Sequence, residues 1–204
     1  MRSALAIFAR PLPALFVIIA LIGMRTVSNA AFPESARATV EQMLDGIRKL
    51  RTTTDQSTRA SIMASINDSL ALRALAQKAL GAQWSKLDAA ERSHFVALLT
   101  QLLEKIAYPR AAQFFTGIEI KLGTETSKGT REVVPSSVKK DDGSAVSIDY
   151  VLEKQKSRWR VVDIMLDGQS LAATVVTQIQ AVVKSSSYKG LVAQMERQLQ
   201  QNAS

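Results

Sequence analysis

Along this chain the spacing of apolar residues switches twice, and few folds accommodate both switches. Up to about Phe115 apolar positions recur every three to four residues, from Gly117 to Leu166 they alternate, and beyond Leu171 the longer period returns. Helices, then strands, then helices is the order of an α+β domain.

The helical part divides at polar breaks. Glu34 to Arg51 carries Val40, Met43, Leu44 and Ile47 on one face, and Thr52-Thr53-Thr54-Asp55 ends it. Gln56 to about Ser65 follows, with Ile62 and then Ile66, and Leu70 to Leu80 runs to Gly81, a residue suited to ending a helix. Asp88-Ala89-Ala90-Glu91 has the spacing of a capping box. Behind it Phe95, Leu98, Leu99, Leu102, Leu103 and Ile106 make one apolar stripe, with His94, Gln101, Glu104 and Lys105 off it. Pro109 interrupts the pattern and permits a fresh short helix ending near Phe115.

Four strands are predicted next. Ile118, Ile120 and Leu122 alternate in the first, and Thr130 to Lys140 forms the second, where Pro135 implies an edge or a bulge. Asp141-Asp142-Gly143 is a hairpin turn, and Val146, Ile148, Tyr150 and Leu152 alternate after it. Gln155-Lys156-Ser157 turns the chain into Arg158 to Leu166. Short links between consecutive strands make the sheet antiparallel. Leu171 to Val183 and Tyr188 to Gln200 are helical, separated by Ser185-Ser186-Ser187. The expected fold is α+β, a four-stranded antiparallel sheet with helices packed over one face.

The start of the chain reads as an export signal. Arg2 and Arg10 precede an apolar run from Leu12 to Met24, and Ser28-Asn29-Ala30 offers the small residues of a cleavage site after Ala30. An uncleaved anchor is the other reading, but this run falls short of the roughly 20 residues that span a bilayer. Residues 31–204 suit one domain. Residues 1–30 hold three Arg and no acid, so the remainder carries +5 of the full +8. That charge is scattered rather than clustered, which suits anionic head groups or acidic partners better than nucleic acid.

Composition removes most catalytic classes. With no cysteine and only His94, the chain cannot build thiolate metal sites, a Cys nucleophile, a multi-histidine zinc centre or, His94 lying on a polar face, a Ser-His-Asp triad. It lacks the phosphate-loop, dinucleotide, nucleophile-elbow and zinc-protease motifs. Asp163 and Asp167 could form an acid–base pair, or could serve a rim hydrogen bond and the turn into the next helix. Asn202-Ala203-Ser204 matches a glycosylation pattern at a fraying end and carries no weight. No cofactor and no metal site is expected. The residues alone lead to an exported domain that binds or carries something.

Ala79-Leu80-Gly81-Ala82-Gln83-Trp84, followed by Leu87-Asp88-Ala89-Ala90-Glu91-Arg92 and Phe95, resembles a signature of the MlaC, or toluene-tolerance auxiliary, family. Leu102-Leu103 before Tyr108, the strand Val146 to Leu152, the block Arg158 to Ile164 with Asp167-Gly168-Gln169-Ser170-Leu171, and Gly190-Leu191 before Leu199 are similar to later family segments in the same order. One departure stands out. Where the family commonly has Tyr-Arg, a spacer and Gln-Phe, this chain has Val175-Val176, Thr177 and Gln178-Ile179. If that Arg meets a lipid phosphate in relatives, this chain uses another basic residue or prefers a less charged lipid. Some members are associated with hopanoid production.

The resemblance implies a periplasmic phospholipid carrier with no enzymatic role, enclosing acyl tails in an apolar cavity between sheet and helices. It would support outer-membrane lipid asymmetry as the auxiliary component of an ABC transporter. The implied partners are phospholipid or a related lipid, an inner-membrane ABC transporter with an MCE-domain subunit, and an outer-membrane lipoprotein complex, with no nucleic acid. Periodicity and the resemblance together assign the acyl-facing wall to Leu99, Leu102, Ile148, Tyr150, Trp159, Val161, Val175 and Ile179. A small exported enzyme using Asp163 or Tyr150 on a cone-shaped α+β scaffold, and an adaptor with a filled core, are the alternatives.

Overall fold

Ser35 opens the first helix by accepting the Ala38 amide at 3.0 Å, which satisfies one of the donors a helix start leaves free. The molecule is described by a computed structural model over residues 34–139 and 145–202. The expected signal, the Asp141-Asp142-Gly143 turn and the last two residues of the chain lie outside these residues. The first helix, α1 (Ala36–Thr52), buries Val40, Met43, Leu44, Ile47 and Leu50 on one face. Asp55 caps α2 (Gln56–Ser69) by accepting the Thr58 amide at 2.7 Å and the Thr58 and Ser57 hydroxyls at 2.6 and 2.8 Å. Those donors, Thr58 foremost, pull the exposed Asp55 carboxyl down to about 2. The helices α3 (Leu72–Leu80) and α4 (Ala82–Lys86) meet at Gly81, whose φ of 52° suits a residue without a Cβ.

The capping box forms as its spacing predicts. The Asp88 carboxylate accepts the Glu91 amide at 2.8 Å, and Glu91 accepts the Asp88 amide at 2.9 Å, opening α5 (Ala89–Leu102). The expected interruption at Pro109 takes another form. The chain widens into a π turn over Leu103–Ala107 and continues directly into α6 (Tyr108–Phe114), with Pro109 in its first turn. Proline lacks the N–H that an unbroken helix would use there, and the wider turn before it gives its ring room.

Among the described residues six strands form one antiparallel sheet: β1 (Ile120–Leu122), β2 (Thr126–Lys128), β3 (Arg131–Lys139), β4 (Ala145–Gln155), β5 (Arg158–Leu166) and β6 (Gln169–Ser170). The order is β1-β3-β4-β5-β6, and β2 also pairs with β3. The four-stranded expectation is therefore corrected by two short strands. β2 is exposed throughout and β6 has only two residues, so neither shows alternation.

Pro135 occupies neither an edge strand nor a bulge. It lies in β3 where the partner on one side changes, since β1 pairs with residues 136–138 and β2 with residues 131–133. Its carbonyl accepts the Gly123 amide at 2.8 Å, and its missing N–H falls on that same side, where no ladder needs it. The irregularity lies instead between β4 and β5, where Val151 pairs with Asp163 and Leu152 with Val161, leaving Val162 as the extra residue of a bulge.

The last helix, α7 (Leu171–Gln201), runs through the expected serine break as one element with a kink at Ser187, whose backbone leaves the helical region at φ 69°, ψ 171°. Val146, Ile148, Tyr150 and Leu152 are buried along β4 while their neighbours are more open, so one face of the sheet meets α1. The buried apolar residues fall into two clusters. One lies between the sheet, α1, α2 and α6. The other is formed by α3, α4, α5 and α7.

Candidate functional site

The sheet-side cluster is built by alternation. Ile148, Tyr150 and Leu152 on β4 lie beside Val134 and Val138 on β3 and Val161 on β5, facing Val40, Met43 and Ile47 of α1. Trp159 and Ile164 pack against it, half-buried. The bulge at Val162 keeps Trp159, Val161 and Ile164 on this one face, which strict alternation would not.

Two polar side chains lie within this apolar surface. The Ser136 hydroxyl is buried and donates to the Ile148 carbonyl at 2.8 Å. Tyr150 is 2 % exposed, and its hydroxyl makes no hydrogen bond of full geometry, the Ser136 hydroxyl beside it being its one weak side-chain partner. Burial pushes the Tyr150 phenol up to about 12, against the smaller opposing pulls of Ser136 beside it and the Arg48 charge on α1. At neutral pH it is a proton donor and no base.

The helical cluster holds Leu99, Ile179, Phe95, Leu191 and Met195, with Leu102 and Val175 at its margin. The guanidinium groups of Arg73 and Arg92 lie over the ring of buried Trp84, 5.3 and 5.6 Å from its centre. His94 is half-exposed on the outer side of α5, with Nε2 3.4 Å from Glu196 Oε1 on α7.

The eight positions expected on the acyl-facing wall are thus divided. Ile148, Tyr150, Trp159 and Val161 belong to the sheet-side cluster, and Leu99, Leu102, Val175 and Ile179 to the helical one.

A polar seam that the periodicity does not reveal runs where β5 meets the end of α2. The Ala71 amide donates to the Val161 carbonyl at 2.9 Å. Arg158 pairs with Asp68 at 3.0 Å and Arg160 with the same carboxylate at 2.8 Å, and Arg160 also donates to the Asp68 carbonyl. Beside them an open cleft of about 520 Å³ is lined by Asn67, Asp68, Leu70, Arg73, Gln155 and Arg160. Tyr108 donates to Asn67 at 2.6 Å, and Asn67 donates to Glu104 at 2.6 Å. Burial, then the Glu104 charge, raises the Tyr108 phenol well above its ordinary value. The one sequence signal for this seam is the spacing of Arg158 and Arg160, two residues apart in a strand and so on one face.

Asp163 is fully engaged in holding the chain. It accepts the Ile164 and Ala172 amides at 2.8 and 3.1 Å and the Ser170 hydroxyl at 2.6 Å, which fixes the entry into α7. Asp167 accepts the Ser147 amide at 2.9 Å and tightens the turn after β5. Both therefore do structural work.

The fold is similar to a solved phospholipid-binding protein from Ralstonia solanacearum, crystallised in complex with a phospholipid. The TM-score is 0.69 at 22% identity, covering 85% of this chain and 100% of that one. A sequence comparison with curated proteins gave no match. The family model for the MlaC protein matches residues 37–197, from the first turn of α1 almost to the end of α7. The chain belongs to the MlaC family.

Proposed function

We propose that this protein carries phospholipid across the periplasm, with the acyl tails held against apolar walls and the head group near water. The observation that carries the reading is the family match over almost the whole described body, joined to a fold shared with a protein crystallised holding a phospholipid. MlaC proteins are lipid-binding carriers without a catalytic step. The chemistry of this chain agrees, since Asp163 and Asp167 are spent on backbone and hydroxyl donors and Tyr150 stays protonated.

In this reading Ile148, Tyr150, Trp159 and Val161 form the sheet wall, and Leu99, Leu102, Val175 and Ile179 form the helical wall. Two acyl chains with roughly 30 methylenes gain on the order of 25 kcal/mol on burial, before entropy and pocket costs. Release into water is accordingly far too slow to serve transport. Lipid leaves on contact with another apolar environment, which gives the carrier its need for docking partners. Those partners would be an outer-membrane lipoprotein complex on one side and an inner-membrane ABC transporter with an MCE-domain subunit on the other.

Residues 1–30 act in this reading as an export signal removed after Ala30. No helix among the described residues is long and apolar enough to cross a membrane. N-terminal sequencing should give Ala31 or a close neighbour, and Met1 retained in a membrane fraction would refute the signal. Native mass spectrometry of protein purified from a bacterial periplasm tests carriage itself. A bound phospholipid mass is expected. Protein that emerges empty and takes up no phospholipid from vesicles would overturn the proposal.

A further inference from the structure

We infer that the open cleft beside the end of α2 binds a phosphate ester, gripped by Arg73 and Arg160. The inference rests on the carrier reading above for a phospholipid as the source of that phosphate, and it names the basic residues that meet the head group.

The cleft encloses about 520 Å³, the size of a small-molecule site. Its charge is unbalanced. Asp68, the one acid in its lining, is shared between Arg158 and Arg160 at 3.0 and 2.8 Å. Glu104 stands behind Asn67, whose side-chain amide it accepts at 2.6 Å. These two acids face three arginines, and the remaining charge falls to Arg73. Arg73 is exposed in the first turn of α3 and has no carboxylate or carbonyl partner among the described residues. The ring of Trp84, 5.3 Å away, holds its guanidinium without occupying the N–H donors. Arg160 donates to the Asp68 and Leu70 carbonyls and to the Asp68 carboxylate, and its fork carries more donors than these partners use.

The donor set selects the ligand. Two guanidinium forks with spare N–H groups match the several acceptor oxygens of a phosphate, which takes paired bonds from arginine. The excess of cations repels a metal ion, and the volume leaves room beyond a single phosphate for its substituent. The position suits a lipid. Leu70, also in the lining, packs against the sheet-side cluster. Trp159, between Arg158 and Arg160 on β5, packs against that cluster as well, so it faces away from its two neighbours. Cations and apolar wall are therefore adjacent on one strand, and a lipid whose tails lie on that wall brings its phosphate to the cleft.

The test follows uptake of dioleoyl phosphatidylglycerol and of dioleoylglycerol, which has the same tails and no phosphate, from vesicles by the parent, Arg73→Gln and Arg73→Lys. The parent should hold the phosphate lipid about tenfold more tightly than dioleoylglycerol, Arg73→Gln should hold both alike, and Arg73→Lys should keep part of the preference. A titration with glycerol phosphate separates the sources of the phosphate. Glycerol phosphate that binds lipid-free parent and is displaced by phosphatidylglycerol makes the lipid head group the occupant. Glycerol phosphate that binds lipid-loaded parent equally well, and Arg73→Gln about tenfold more weakly, makes a free phosphate ester the occupant, and either result supports the site. Arg73→Gln that keeps both the lipid preference and the glycerol phosphate affinity of the parent would overturn the inference and leave carriage standing. So would an equal loss for both lipids with no binding of glycerol phosphate, which would make Arg73 a packing feature over Trp84. A parent that takes up neither lipid would overturn the carrier reading, and the glycerol phosphate titration would then decide the site alone.

Discussion

Asp88 and Tyr150 show how differently single residues report themselves. The Asp88 carboxylate and Glu91 satisfy each other's backbone donors at 2.8 and 2.9 Å on the surface, away from both walls. Asp88→Ala should cost about 1 kcal/mol of stability and leave lipid content unchanged, as read by thermal denaturation and native mass spectrometry. The spacing of Asp88 and Glu91 announces this role, because a cap depends only on local geometry. Tyr150 is announced by alternation as an inward residue, but nothing local says how its hydroxyl is met. Its phenol is pushed up to about 12 by burial, so the folded state holds the proton more tightly than the unfolded chain, whose tyrosine titrates near 10. The stability this contributes is complete below about pH 10 and lost as pH rises toward 12. Tyr150→Phe should therefore flatten the fall in stability between pH 9.5 and 11.5, roughly, measured by denaturant melts against the parent.

At the scale of elements, the kink in α7 is the feature with the clearest energetic signature. Ser187 holds φ 69°, ψ 171°, a region populated almost only by glycine, at a cost of about 1–3 kcal/mol. Its hydroxyl accepts the Gly190 amide only at 3.5 Å, so the residue starts the second half of the helix weakly. Ser187→Gly should stabilise the protein by about 1 kcal/mol, raising the melting temperature by roughly 2–4 °C. The serine run marks this break in the sequence, but not that the helix resumes after one residue. Long, strongly periodic elements are legible in the same way: α1, α5, β4 and β5 lie where the spacing places them. The short ones are not. β2 exists because β3 is long enough to take two partners along one side, a fact of pairing rather than of its own residues.

Across the whole molecule, the fold class follows from the two changes of period, but the division into two apolar clusters does not. Periodicity says which side of an element is apolar. It does not say which other apolar side it meets, and so Val175 and Ile148 appear equivalent in the sequence while belonging to different clusters. A charged residue separates a wall from a filled core. Val175→Glu, at the half-buried margin of the helical cluster, should abolish lipid retention with a moderate loss of stability. Val40→Glu, at a position with no exposed surface, should prevent folding outright. Circular dichroism melts and bound-lipid mass distinguish these outcomes, and equal unfolding of both variants would make Val175 part of a filled core. The long-range packing of α1 has a consequence in time. Its apolar face is covered by residues from β3, β4 and β5, about a hundred positions later in the chain. At ordinary rates of synthesis those residues emerge on the order of ten seconds after α1. A ribosome thus releases most of this polypeptide before its first helix has a sheet to rest on, and a nascent chain that cannot close its core is one that can still be threaded through a pore.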